Sequence, residues 1–257
     1  MRPSWKASWT DASGQTVRIS IITLFPGMFE GVFQESIIAR ARAKNLADID
    51  IIPLREFGLG PHRVVDDTPY GGGGGMILKP EPIAQALQTL ENRGRVILTT
   101  PRGRPFTQED ALRLSKEPSI TIICGHYEGV DERVSELFVD EELSIGDYVL
   151  TGGELPAMVM ADAVVRLIPG VLGKDSLHTG DSHYRGLLEH PHYTRPSEFM
   201  GLPVPEVLLS GDHERIRLWR EKAARDKTRS VRPDLLASPG DGSGRKAPAL
   251  DREEGTD

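Results

Sequence analysis

Three glycines and two acids interrupt an apolar run in Ser144-Ile-Gly-Asp-Tyr-Val-Leu-Thr-Gly-Gly-Glu-Leu-Pro156, immediately before a helical pattern. No other stretch constrains the fold as much. Gly146, Gly152 and Gly153 permit backbone conformations closed to other residues and leave no side chain between main chain and ligand. Upstream, Cys124-Gly-His-Tyr-Glu-Gly-Val-Asp-Glu-Arg133 repeats the pattern: the β-branched run Ile120 to Ile123 ends in a glycine turn carrying Tyr127 and Glu128. In open α/β sheets, strand ends of this kind converge on one crevice, the usual position of a ligand.

Strand and helix patterns alternate around these two loops. Strands are predicted at Arg18 to Leu24, Ile49 to Leu54, Arg95 to Thr99 and Ser119 to Cys124, with short pieces near Leu143 and Val149. Helices are predicted at Gly27 to Lys44, Pro82 to Glu91, Thr107 to Ser115, Asp131 to Leu137 and Pro156 to Leu167. Pro156 suits a helix start, where its missing N–H costs nothing, and Met160, Ala163, Val164 and Leu167 share one apolar face. Such alternation implies a mostly parallel sheet covered by helices. Pattern alone favours an unknotted, Rossmann-like topology.

After Val171 the chain turns polar and glycine-punctuated through Tyr184, which reads as a flexible connector, residues 172–186. A small helical domain is expected over 187–236, with Asp212 capping a helix whose Ile216, Trp219 and Ala223 face its core. Residues 1–17 read as a disordered extension or a misplaced start, and 237–257 as a disordered tail.

With 257 residues, 38% of them hydrophobic and 27% charged, the chain has the composition of a soluble protein. No apolar run approaches the roughly 20 residues that cross a bilayer, and the N-terminus lacks a signal-peptide core, so a cytoplasmic location without membrane attachment is expected. The single cysteine, Cys124, reads as a small buried hydrophobe. A net charge of −7 argues against a nucleic-acid partner until its distribution is considered. From Arg215 to Arg232, eight Lys or Arg stand against Glu221 and Asp226, a local surplus of +6 able to supply phosphate contacts.

Neither glycine loop fits G-x-G-x-x-G or the Walker pattern, and the five glycines Gly71 to Gly75 are followed by Met76, so the ligand is not held by its phosphates. The chain closely resembles the bacterial tRNA (guanine-N1)-methyltransferases of the SPOUT class. The matching pieces are colinear: Leu24-Phe-Pro-Gly-Met-Phe29, Val65-Asp-Asp-Thr-Pro-Tyr-Gly-Gly-Gly73, the Cys124 to Arg133 and Ser144 to Pro156 segments, Ile168-Pro-Gly-Val-Leu-Gly173 and His190-Pro-His-Tyr-Thr-Arg-Pro196. The resemblance spans about Arg18 to Leu236 and departs at Gly74, where the family usually has proline.

The resemblance implies a SPOUT-type α/β domain over residues 18–171, its mostly parallel sheet closed by a deep trefoil knot, followed by a small C-terminal helical domain that binds tRNA. It implies methylation of N1 of the guanosine just 3′ of the anticodon, with S-adenosylmethionine as donor. The matching cofactor positions are Thr100, Pro101, Gly125, Tyr127, Glu128, Ile145, Gly146, Asp147, Tyr148, Val149, Leu150, Gly152 and Gly153. Asp181 matches the base that takes the N1 proton, and Arg166 the cation that faces O6. Asp66, Asp67, Tyr70, Tyr193, Arg195 and Arg220 are the expected RNA contacts, by a loop that orders over the substrate and by stacking or pairing. Magnesium assistance is also implied, with Glu128 a candidate neighbour. The family's enzymes are homodimers whose sites draw on both subunits, and they act on tRNA and not on DNA.

Each residue also has a simpler reading: tight turns for the glycines, a loop acid for Asp181, and for Arg166 a helix C-terminal cation favoured by the macrodipole. His190 and His192 offer no third metal ligand. Two other functions compete with this one. A non-catalytic RNA-binding protein would keep the basic helix but would not need Asp181 and Arg166. A serine hydrolase using Ser182 with His183 or His178 lacks the G-x-S-x-G elbow.

Overall fold

In the computed structural model the chain divides into two units, Met1–Ser176 and Leu177–Asp257, and the structure describes residues 16–172, 181–184 and 186–236. The expectations for the N-terminal extension up to residue 15, most of the connector, His178 and the C-terminal tail lie outside the described residues.

The first unit is built on five parallel strands, β1 (Val17–Thr23), β2 (Ala47–Pro53), β5 (Arg95–Pro105), β6 (Ser119–Cys124) and β7 (Glu141–Ser144), in the order β2-β1-β6-β5-β7. A separate two-stranded piece, β3 (Asp66–Asp67) with β4 (Ile77–Leu78), is antiparallel. Alternate side chains of a strand point to opposite faces, and the core divides accordingly. Ile19, Ile21, Ile97, Ile120 and Ile122 pack with α2 (Ser36–Ala43), α4 (Gln108–Leu114), α6 (Glu154–Val165) and the short α1 (Glu30–Phe33). On the other face Ile22, Ile52, Val96, Leu98 and Ile123 pack with α3 (Pro80–Gln88) and α5 (Glu132–Phe138). Every residue of β6 is buried, as expected of a central parallel strand covered on both faces.

Several expectations about elements need correction. The helix expected over 27–44 is broken, because Ser36, the first residue of α2, takes the left-handed conformation (φ 52°). No strand forms at Val149, which is 82% exposed on an irregular loop. Val17, placed in the N-terminal extension, is the first residue of β1. The last long helix of this unit starts at Glu154, so Pro156 is its third residue; the first four N–H groups of a helix have no partner in any case. Thr107, expected as the first residue of its helix, instead caps α4 from outside, in a reciprocal box with Asp110.

The second unit holds a hairpin of β8 (Glu198–Phe199) and β9 (Leu202–Pro203), a short α7 (Glu206–Leu209) and the long α8 (His213–Val231). Asp212 accepts a hydrogen bond from the Arg215 amide and so caps α8, while Ile216, Trp219 and Ala223 are half-buried along it. No helix of the described residues is long and apolar enough to cross a membrane.

Beneath β5 and β7 lies an ion network. The Arg104 guanidinium holds Asp110 with two hydrogen bonds, 2.7 and 2.8 Å, and also pairs with Glu141; Arg113 reaches Glu141 at 2.8 Å. Burial raises the Asp110 pKa, but hydrogen bonds from Arg104, Thr107 and Arg113 outweigh it and hold the value at about 2. A carboxylate lowered in the folded state contributes stability that is complete above its unfolded value, 3.8, and is lost as pH falls toward 2. Asp110→Asn should therefore cost about 1–2 kcal/mol at neutral pH, from the weakened cap and lost charge-assisted bonds. Urea unfolding should show the gap from wild type closing below pH 4; a gap independent of pH would contradict this account of the network.

Candidate functional site

The ends of β5, β6 and β7 build one site because each leaves the sheet irregularly. On β5, Thr99 and Arg104 both pair with Leu143 of β7, so the residues between them bow out of the sheet. Gly103 makes this possible: a Cβ there would stand 2.6 Å from the Glu142–Leu143 backbone. After β6 the chain turns sharply, with the Gly129 amide on the His126 carbonyl at 3.1 Å and Tyr127 in the left-handed region at φ 58°. Non-glycine residues rarely adopt that conformation outside functional sites and tight turns. After β7 the Ser144 hydroxyl donates to the Gly146 carbonyl at 2.9 Å and accepts from the Gly146 amide at 3.2 Å, closing a small loop.

The loop after β7 then returns to the loop after β6. Gly152 bridges His126, and the Gly153 amide donates to the Gly125 carbonyl at 2.7 Å before α6 begins. A Cβ on Gly153 would overlap the Thr99 hydroxyl and stand 2.7 Å from the Gly125 nitrogen and 2.8 Å from the Cys124 Cα. Only glycine fits there.

Together the three loops enclose a cavity of about 360 Å³, a size suited to a small organic ligand. Eleven of the thirteen expected cofactor residues line it: Thr100, Pro101, Gly125, Tyr127, Glu128, Ile145, Tyr148, Val149, Leu150, Gly152 and Gly153. Gly146 and Asp147 do not; Gly146 packs against the Tyr148 ring, and Asp147 is exposed. The wall also includes Thr99, Arg102 and Thr151, which the sequence reading passed over. Arg102 had a signal, its place directly after Pro101 in the bowed segment; it pairs with Glu132 at 2.6 Å and Glu142 at 3.1 Å. The buried Cys124 lies beneath the site, its thiol pushed well above the usual range by burial and then by the Glu154 charge, so it is no nucleophile.

The glycine-rich loop is tied to this wall. The Glu128 amide donates to the Met76 carbonyl at 3.1 Å, and the Leu78 amide to the Gly129 carbonyl at 3.0 Å. Gly75, at φ 85°, lets the Glu128 side chain lie where a Cβ would be. Partial burial and a hydrogen bond to the Asp66 carboxylate raise the Tyr127 phenol pKa. Tyr70, at the loop's start, is 99% exposed. Asp67 pairs with Lys79 at 3.1 Å.

Arg166 is the C-cap of α6 in the first unit, and Asp181 belongs to the second. Within the second unit, Tyr193, Arg195, Trp219 and Arg220 line one cavity of about 360 Å³. The His190 and His192 ring centres lie 4.5 Å apart with the rings tilted by 49°, and no three His, Cys, Asp or Glu side chains among the described residues gather to hold a metal. Several charges of α8 are already paired, Arg217 with Glu214 and Glu221, and Lys222 and Arg229 with Asp226. Arg215, Arg220, Arg225 and Lys227 make no ion pair with described residues.

The family model described as tRNA (Guanine-1)-methyltransferase TrmD matches residues 17–238. A tRNA (guanine-N(1)-)-methyltransferase of Desulforamulus reducens is 55% identical over 225 residues, covering 86% of this chain and 89% of the relative. The protein of the same name from Bacillus subtilis is 53% identical over 224 residues (86% and 92%), and that from Geotalea uraniireducens 54% identical over 223 (86% and 90%).

The two glycines at the clasp should respond differently to substitution. A Cβ on Gly125 would meet the Thr99 carbonyl at 3.1 Å, a contact that small shifts relieve, whereas Gly153 is hemmed in by backbone. Gly153→Ala should weaken binding of a ligand in this cavity by about tenfold or more and Gly125→Ala by no more than about threefold, as expected when only the former forces main chain apart. Titration calorimetry with S-adenosylmethionine measures both; equal losses would contradict the ranking.

Proposed function

The chain belongs to the tRNA (guanine-1)-methyltransferase family, and on that premise we propose that its glycine-loop cavity holds S-adenosylmethionine while Asp181 and Arg166 direct methyl transfer to N1 of the guanosine 3′ of the anticodon. The chain is a tRNA (guanine-N1)-methyltransferase that uses S-adenosylmethionine. The observation that carries the finer reading is the convergence of three strand ends on one cavity lined by main chain and glycine, without a phosphate-binding fingerprint.

Bound S-adenosylmethionine supplies an electrophilic methyl group. The protein has to bring N1 into line with that methyl, remove the N1 proton and stabilise the charge that gathers on O6. We assign the proton to the Asp181 carboxylate and the O6 contact to the Arg166 guanidinium, whose hydrogen bond strengthens as charge develops. Tyr127, Glu128 and the backbone at Gly125 and Gly152 orient the cofactor. Asp66 and Tyr70 contact the RNA from the glycine-rich loop, and Tyr193, Arg195 and Arg220 contact it from the second unit. Glu128 is one carboxylate on the cavity wall, so an assisting magnesium ion would depend mainly on oxygens of the substrate.

The proposal includes a trefoil knot in the domain 18–171, supported by the return of the chain after β7 past the end of β5 to Gly125. It includes a connector over 172–186 and a helical tRNA-binding domain over 187–236. A homodimer with shared sites is supported by the apolar residues Leu155 and Val159 of α6, each about half exposed (47% and 48%), with Met28 and Val32 also uncovered. The protein works where tRNA is made and used, in the cytoplasm.

Asp181→Ala should nearly abolish turnover while leaving cofactor affinity within about threefold, and Arg166→Ala should cost about 10²-fold in rate, as loss of an oxyanion-hole donor does. Mixed dimers of the two variants should recover part of the activity if each site draws the two residues from different chains. Collapse of cofactor binding in the Asp181 variant, or normal turnover in the Arg166 variant, would contradict the assigned roles.

A second expectation concerns α8. Replacing Arg215, Arg220 and Arg225 by Gln should weaken tRNA binding and flatten its salt dependence by up to about one log-log unit per lost phosphate contact, without changing cofactor affinity. Filter binding across salt concentrations measures it; an unchanged slope would make α8 a solvated face only.

A further inference from the structure

Glu154 stands at the start of α6, next to the cavity glycines, and is almost fully buried at 2% exposure. Burying a carboxylate is costly unless hydrogen bonds and favourable charge offset it. Here Oε1 accepts a hydrogen bond from the Thr23 hydroxyl at 2.8 Å, and the first turn of a twelve-residue helix favours a negative charge. Thr23 is itself fully buried at the end of β1, and its Oγ1 accepts from the Phe25 amide at 2.9 Å. The carboxylate is thus anchored to a strand 131 residues away in sequence.

Its other oxygen lies over Gly152. A Cβ on Gly152 would overlap Glu154 Oε2 and stand 2.7 Å from His126 Nδ1, so the carboxylate and the imidazole together fill the space over this glycine. His126 Nδ1 is buried and has no hydrogen-bond partner. The imidazole is held by packing instead, edge-on to Phe25 with ring centres 4.9 Å apart and against Tyr127 at 4.8 Å. Gly152 and Tyr127 both line the cavity, while Glu154 does not.

We propose that Glu154 is a positioning residue for the reaction: fixed by Thr23, its carboxylate props the Gly152 turn and the His126 ring and thereby sets the cofactor-facing surface formed by Gly152 and Tyr127. The proposal rests on the reading that this cavity holds S-adenosylmethionine. Glu154 acts through its neighbours and makes no contact with a reacting atom.

The test compares Glu154→Ala, Glu154→Gln and Thr23→Val in the full-length enzyme, measuring the Kd of S-adenosylmethionine by calorimetry, the KM for tRNA, kcat and the melting temperature. Glu154→Ala should raise the cofactor Kd about tenfold or more while the tRNA KM stays within about twofold, because the lost hydrogen bond shapes only the cofactor wall. Glu154→Gln keeps an oxygen for Thr23 and should recover affinity to within about threefold of wild type. Adding Thr23→Val to Glu154→Ala should raise the cofactor Kd no further than about twofold, since the Thr23–Glu154 bond is already gone, while the melting temperature falls because the Phe25 amide also loses its acceptor.

Unchanged cofactor affinity in Glu154→Ala would overturn the proposal, as would parallel losses in cofactor affinity, tRNA KM and melting temperature, which mark a purely structural role. Should Glu154→Ala fail to fold, Thr23→Val decides: an increase of about threefold in the cofactor Kd with an unchanged tRNA KM supports the proposal, and no increase overturns it. Wild-type enzyme that failed to bind S-adenosylmethionine would instead overturn the cavity's assignment, and this proposal with it.

Discussion

The hydrogen bond from the Gly153 amide to the Gly125 carbonyl, 2.7 Å long, clasps two loops that leave the sheet at different strands. Such an approach leaves no room for a side chain at Gly153, where even one methyl group would strike the Thr99 hydroxyl and the main chain of β6, whereas a Cβ on Gly125 would meet only the Thr99 carbonyl at 3.1 Å. From this clasp follow the start of α6, the turn at Gly152 and the closure of the cavity over Thr100 and Pro101. Recognition by bare main chain and packing of the helix against the sheet are therefore one constraint, met by the same glycines. A substitution there disturbs the fold and the ligand site together.

The cavity wall is also continuous with the glycine-rich loop proposed to meet the RNA. Glu128 and Gly129 are hydrogen-bonded to the segment at Met76 and Leu78, and Asp66 reaches the Tyr127 phenol. The glycine-rich loop assigned to substrate contact thus shares backbone hydrogen bonds with the loop assigned to the cofactor. A methyltransferase needs both substrates in line before the chemistry begins, and this stitching gives the two loops a common foundation.

How much of this was legible in the sequence depended on how local the determining interaction was. The run Ser119 to Cys124 declared itself as a buried strand because every residue faces a covered side of the sheet, and Asp212 announced a helix start through a cap only three residues long. The break at Ser36 could not be read, since a serine at positive φ has no compositional signal. The continuation of β5 beyond Thr99 was hidden because Pro101, Gly103 and Pro105 read as the end of a strand, while the register with Leu143 resumes after the bow. The glycine loops were visible as a site, and most of the residues expected to hold the cofactor do line one cavity. Arg102 and Thr99 were not expected there. The bond between Glu154 and Thr23 spans too much sequence to leave any pattern.

The central claim is that this chain, with S-adenosylmethionine, methylates N1 of the guanosine 3′ of the anticodon. The most direct measurement incubates purified protein with methyl-labelled S-adenosylmethionine and tRNA transcripts that bear or lack that guanosine, then maps the modified base. Label is expected on N1 of that one guanine and none in transcripts lacking it. Label at another base or another atom, or equal labelling of both transcripts, would contradict it.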